Sequence, residues 1–184
     1  IVFTTIQLYR NDRINYLKEQ LLDARNEGYS FGVKLVRGAY MEKERKRAEV
    51  NTYPSPINKT KEETDRIYNK AITICIENID SVNVCLGTHN ETSCLHMVHL
   101  MEQKGIKNND KRIYFAQLYG MSNHISYNLS AEGYNVAKYV PYGEVEKLVP
   151  YLIRRAKENT SIAGQTGREV RLILAERRRR SSVK

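Results

Sequence analysis

No run of apolar residues in this sequence approaches the roughly 20 needed to cross a bilayer. Nor is there a secretory pattern or an initiating Met at the start. Ile1 lies inside a β-branched run, so the expectation is a fragment whose N-terminus lies further upstream. Cysteine is scarce: Cys75, Cys85 and Cys94 form an odd set without metal-ligand spacing. That disfavours a disulfide framework or a metal centre and leaves reduced core thiols. No G-x-G-x-x-G follows an apolar run, which counts against a Rossmann dinucleotide site. Internal repeats and low-complexity segments are also missing.

The net charge of +9 comes without any RNA- or DNA-binding motif, so no nucleic-acid partner is expected. Part of that charge is local. Arg177 to Arg180 and Lys184 make a basic tail, whereas residues 42–47 are mixed in sign. An anionic membrane surface suits such a tail. The 184 residues suffice for one domain with a real core.

Periodicity alternates between strand and helix. β-branched or apolar runs at 2–8, 32–36, 81–86, 112–117 and 135–140 read as strands. Helical spacing or caps mark 12–27, 60–79, 91–104, 122–131 and the segment around 148–159, with a short charged helix at 42–49 and an amphipathic one at 168–180. Thr60 with Glu63 three residues on makes a capping box. Pro150 is expected in the first turn of its helix, where its missing N–H is harmless. Five strand–helix units with short loops imply a parallel sheet, either doubly wound or part of a (βα)8 barrel. In both architectures chemistry sits at the carboxyl ends of the strands. The unusual residues cluster there: Gln7, the stretch Lys34 to Tyr40, Thr88-His89-Asn90, Gln117-Leu118 and Tyr139.

Three motifs stand out. In Val33-Lys34-Leu35-Val36-Arg37-Gly38-Ala39-Tyr40, alternation turns Lys34 away from Val33 and Leu35, and a cation there needs an anionic or electron-rich partner. Gly38 permits close backbone approach. Gly87-Thr88-His89-Asn90 offers phosphate donors, but Thr88 or Asn90 also suits the cap of the helix at Glu91. Pro150-Tyr151-Leu152-Ile153-Arg154-Arg155 places two planar guanidinium forks beside an aromatic ring, suited to a carboxylate or phosphate, and Glu158 lies within reach of either arginine.

VKLVRGAY, QLYGM and KYVPYG followed by PYLIRRAKEN resemble the motifs of the proline dehydrogenase family, and the resemblance runs from about Val2 to Glu176. It implies an α/β fold: the C-terminal five βα units of a (βα)8 TIM-type barrel over 1–176, followed by a C-terminal helix and a basic tail at 177–184. A complete barrel takes about 250 residues, so three strands would lie upstream. The implied reaction is FAD-dependent oxidation of L-proline to 1-pyrroline-5-carboxylate, with electrons passed to membrane quinone. By the same resemblance Gln7, Lys34, Val36, Gly38, Thr88, His89, Asn90 and Gln117 meet the FAD. Arg154 and Arg155 hold the substrate carboxylate, supported by Glu158. Tyr40, Leu118, Tyr139 and Tyr151 box the pyrrolidine ring. Many bacterial relatives have Arg where this chain has Lys34, which makes that contact a point charge rather than a fork.

The resemblance is mitochondrial in flavour and points to the matrix side of the inner membrane, with peripheral membrane association. The N-x-S/T asparagines Asn58, Asn90, Asn128 and Asn159 are then chance. No metal is implied. Hydroxyproline dehydrogenase is the nearest alternative, although relatives preferring hydroxyproline tend to carry a small residue at the Tyr139 position. A third reading is an incomplete, inactive fragment serving as a basic interaction module. The isolated segment is expected to bind FAD poorly and turn over little.

Overall fold

The computed structural model describes residues 2–160 and, beyond them, 171, 174, 175, 177, 178 and 181. The helix expected over 168–180 and the basic tail lie for the most part outside the described residues. The chain divides into two compact units, residues 1–139 and 140–184. Each is described by itself.

The first unit alternates as the periodicity requires. Its elements are β1 (Phe3–Gln7), α1 (Arg13–Glu27), β2 (Phe31–Val36), α2 (Met41–Val50), α3 (Lys61–Glu77), β3 (Val82–Gly87), α4 (Glu91–Gln103), β4 (Ile113–Leu118), α5 (Asn123–Ala131) and β5 (Val136–Tyr139). The punctuation residues act as their chemistry dictates. Gly28 ends α1 in the left-handed conformation at φ 73°, which a side chain would oppose. Thr60 Oγ1 accepts the Glu63 N–H at 3.1 Å, and the Glu63 carboxylate reaches back to the Lys59 N–H at 2.9 Å. Asn90 caps α4 by accepting the Ser93 N–H at 3.0 Å.

The five strands lie in sequential order, each parallel to its neighbour. One core cluster joins strand residues Ile6, Val33, Leu35, Val84, Leu86 and Phe115 to helix residues Leu17, Tyr68, Ile72, Met97 and Ile125. The apolar side of the sheet is therefore packed against helices α1, α3, α4 and α5. A doubly wound sheet would reverse its strand order and carry helices on both faces. Sequential order with helices on one face is a barrel wall, which settles the choice that alternation alone left open. Full burial of side chains such as Leu17 and Leu35 contributes about 1.5–3 kcal/mol each.

Asn58 is buried, and its amide donates to the Leu8 carbonyl at 2.9 Å and the Thr64 hydroxyl at 3.2 Å. It pins the loop before α3 beneath the end of β1. Cys75 and Cys94 are buried and Cys85 is partly so, and all three are free thiols. Burial pushes the Cys75 thiol up to about 12 and does the same, to about 12, for Cys94.

The second unit contains α6 (Val145–Thr160). The expected first-turn position of Pro150 is corrected here. Lys147 and Leu148 N–H groups both bond the Glu144 carbonyl, so the helix begins earlier and Pro150 falls inside it. A proline there cannot donate to the carbonyl four residues before it. Both Glu146 and Pro150 are exposed, so water can hydrate that carbonyl.

Candidate functional site

Parallel register places Gln7, Val36, Gly87 and Ala116 in one row, Lys34 and Cys85 in a second, and Leu118 with Tyr139 in a third. By alternation all of these belong to the face away from the helices. Lys34 Nζ stands 5.6 Å from the centre of the Tyr139 ring. On a flat sheet β2 and β5 would be roughly 14 Å apart, three strand spacings. The contact is in keeping with the barrel wall inferred from the strand order, curved with this face on the inside. Gln7, Lys34, Val36, Leu118 and Tyr139, all named from sequence, share this concave face. Tyr139 is 51% exposed on it. Gly87 keeps the face narrow: a Cβ there would lie 2.9 Å from Val36 Cγ1 and 3.2 Å from both the Leu35 carbonyl and Lys34 Cε.

The opposite face carries a second row at the same strand ends. Arg37, Thr88, Gln117 and Lys138 continue the parity of Leu35, Leu86, Phe115 and Val136. Gln117 is thus corrected from its expected cofactor-facing role. It is 2% exposed, its amide N–H donates to the Thr88 carbonyl at 3.3 Å, and its carbonyl accepts from the Ser126 hydroxyl at 2.9 Å. Thr88 likewise faces the helix side. Its hydroxyl accepts from the Arg37 guanidinium at 2.7 Å and from the Asn90 N–H at 3.1 Å. With Asn90 occupied as the α4 cap, the side chains of Thr88 and Asn90 fix the loop. That arrangement matches the helix-cap alternative for this triplet. His89 Nδ1 meets the Ser122 hydroxyl at 2.9 Å and so ties this loop to the one after β4. Lys138 donates to the Met121 carbonyl at 2.8 Å and to Asn123 at 3.1 Å, holding the same β4–α5 loop.

Arg37 was not singled out from sequence as a site residue. Its guanidinium bonds Asp65 at 2.6 Å, Thr88 at 2.7 Å and Ser93 at 2.9 Å, and its carbon lies 4.3 Å from the centre of the Tyr68 ring. The signal was available: Val33, Leu35 and Arg37 share one parity, so the cation had to enter the helix side and find partners there. Burial of Asp65 works to raise its pKa, but hydrogen bonds from Lys61 and Arg37 outweigh that and lower it.

Gly38 adopts φ 122°, and a Cβ there would run into the ring of Tyr9. The close approach expected of Gly38 is met by this protein ring. Tyr9 is 5% exposed, and its hydroxyl pKa is raised by burial and by the nearby Glu44 carboxylate. Tyr40 stands at the N-cap of α2, 42% exposed.

Within the second unit, Arg154 and Arg155 both fan over Tyr151, with guanidinium carbons 5.6 and 5.2 Å from its ring centre. Tyr151, Arg154 and Arg155 thus lie within about one turn of α6. Glu158 falls in α6, but its side chain lies outside the described residues.

A curved parallel wall with a cation, an amide and aromatic rings on its inner face defines a barrel-type enzyme scaffold. The chain belongs to the proline dehydrogenase family, whose model matches residues 1–168. It is 39% identical over 190 residues to "Proline dehydrogenase 1, mitochondrial" of Drosophila melanogaster, covering 98% of this chain and 28% of the relative. It is 41% identical over 183 residues to "Hydroxyproline dehydrogenase" of Xenopus laevis, covering 97% and 39%. Among solved structures it resembles proline utilization A (PutA) from Bdellovibrio bacteriovorus inactivated by N-propargylglycine. There the TM-score is 0.83 at 31% identity, over 89% of this chain and 17% of that one. The chain therefore spans well under half the length of these relatives.

Proposed function

We propose that this chain supplies part of the active site of an FAD-dependent proline dehydrogenase, which oxidises L-proline to 1-pyrroline-5-carboxylate and passes electrons to a membrane quinone. The observation that carries this reading is the concave face where Lys34 and Tyr139 meet at 5.6 Å. Its donor set suits a flavin: Lys34 brings a positive charge and Gln7 an amide, and the missing Cβ at Gly87 keeps Lys34 and Val36 close to the wall. FAD, when bound, supplies the two-electron acceptor. Lys34 and Gln7 would hold and orient that group, and Val36 and His89 would add further contacts to it. Thr88 and Asn90 shape the loop that carries His89.

Arg154 and Arg155 grip the substrate carboxylate. Stacking on Tyr151 covers their faces and fixes their rotamers, so that in-plane N–H groups meet an in-plane anion. Within the first unit, Leu118, Tyr139 and Tyr40 would by the family resemblance meet the substrate ring, where orientation does most of the work. The bulk of Tyr139 favours proline over hydroxyproline. The Drosophila relative's name supports a mitochondrial location. The inner membrane, reached peripherally from the matrix side through the basic tail, follows from the quinone step.

The test is the absorbance spectrum of the purified full-length protein before and after anaerobic addition of L-proline. The expected result is a flavin band that bleaches with L-proline and more slowly with trans-4-hydroxy-L-proline. Arg154→Lys is expected to raise KM for L-proline roughly ten- to a hundredfold, the scale of a lost charge-assisted hydrogen bond. A colourless protein, or a band untouched by proline, refutes the reading.

A further inference from the structure

We infer that Arg37 is a positioning residue that locks the loop Thr88-His89-Asn90 in the shape required for flavin binding. The inference rests on the flavin reading above, since that reading makes this loop part of the cofactor site.

Arg37 acts from the helix side of the wall, on the face opposite Lys34. Its three guanidinium nitrogens each take a different partner: Asp65 of α3 through Nε, Thr88 of the loop through Nη1, and Ser93 of α4 through Nη2. Ser93 passes the linkage on to Asn69 of α3 at 2.7 Å, and its own N–H is capped by Asn90. Thr88 closes the ring by accepting the Asn90 N–H. Every residue of the loop except His89 is thereby held from below, and His89 is fixed sideways by Ser122. Tyr68 packs under the guanidinium plane and anchors itself by donating to the Leu35 carbonyl at 3.1 Å. A guanidinium reaches these three acceptors from three separate nitrogens spread around its rim, whereas the three donors of a lysine radiate from a single nitrogen. A lysine could neutralise Asp65 but would leave Thr88 and Ser93 to reorient. The neighbouring Gln117–Thr88 bond would hold the loop's backbone but not its side chains.

The experiment uses the full-length protein, stripped of flavin and titrated with FAD by fluorescence quenching. Variants are Arg37→Lys and, as a milder change that removes one arm only, Ser93→Ala. The expected result for Arg37→Lys is a dissociation constant for FAD raised about tenfold, with a smaller rise for Ser93→Ala. KM for L-proline at saturating FAD should stay within about twofold of wild type, because all three Arg37 nitrogens are taken by Asp65, Thr88 and Ser93. A merely structural role would lower the melting temperature of the apoprotein and the active fraction without shifting the FAD constant of the folded molecules. Unchanged FAD affinity in both variants, or a loss confined to melting temperature, overturns the inference while leaving the flavin reading intact. A wild-type protein that takes up no FAD overturns both.

Discussion

Replacing Gly38 by alanine is predicted to be far costlier than a loop glycine usually warrants, and most of the excess should vanish when Tyr9 is also removed. Two separate penalties meet at this position. A φ of 122° lies in a region that residues with a Cβ rarely adopt, which costs about 1–3 kcal/mol. The added methyl would also overlap the Tyr9 ring, and overpacking of this kind costs about 1–3 kcal/mol. The backbone has little room to yield. The Tyr9 N–H is bonded to the Arg37 carbonyl at 2.7 Å, and the Tyr9 carbonyl accepts the Asn58 N–H at 2.8 Å. The ring itself is 5% exposed and must rotate into packed surroundings. Together these give about 2–6 kcal/mol for Gly38→Ala. Tyr9→Ala alone should cost about 3–5 kcal/mol, as for other buried aromatic truncations. In the double variant the overlap disappears and only the dihedral penalty is added, so the sum of the singles should exceed the double by about 1–3 kcal/mol. Urea unfolding of the full-length protein, followed by circular dichroism and a second probe, measures all three. Additivity within about 0.5 kcal/mol would show that the Tyr9 ring does not rest against Gly38.

Two further outcomes follow from burial and charge. Cys75 and Cys94 should resist iodoacetamide at about pH 8 in the native protein, because burial raises both thiols to about 12, and Cys85 should react slowly; mass spectrometry should find all three alkylated in urea. The folded-state pKa of Asp65 is lowered, so its contribution to stability is complete above the unfolded carboxyl value near 4 and is lost as pH falls through the folded value; the fall in melting temperature below about pH 4 should be shallower in Asp65→Asn than in wild type.

Local chemistry made much of the fold legible. Short-range devices such as the Thr60–Glu63 capping box, the Gly28 stop and the Asn90 cap act within four residues, and each forms as its sequence implies. Alternation and resemblance agree on facing at Lys34 and Tyr139, which share one face of the sheet and meet there. At Gln117 they disagreed. Counting from Phe115 turns Gln117 toward the helices, and the fold follows the count because a strand cannot change parity without a bulge. Thr88 obeys the same rule from Leu86. What no local pattern could supply are the long-range pairings. Tyr9 meets Gly38 across a whole helix, and Asn58 reaches back to Leu8. Pro150 was misplaced because the helix start at Val145 carries no strong cap signal to mark it.

The division between the two faces explains how one sheet can be both scaffold and site. Residues at the carboxyl ends alternate by parity into two sets. Gln7, Val36, Leu118 and Tyr139, with Lys34 below them, look into the concave face and keep part of their surface open. Arg37, Thr88, Gln117 and Lys138 look toward the helices, where each finds partners on α3, α4, α5 or the loops leading into them. The second set seals the top of the apolar core with satisfied polar groups, which a row of aliphatic side chains would do equally well for stability alone. Only polar side chains can also bond the backbone of the βα loops, as Gln117 does at Thr88 and Lys138 at Met121. Loop geometry is therefore set by residues that no ligand need touch. Substitutions on the concave face should then change what binds, while substitutions in the helix-side row should change how well any ligand-facing loop is held.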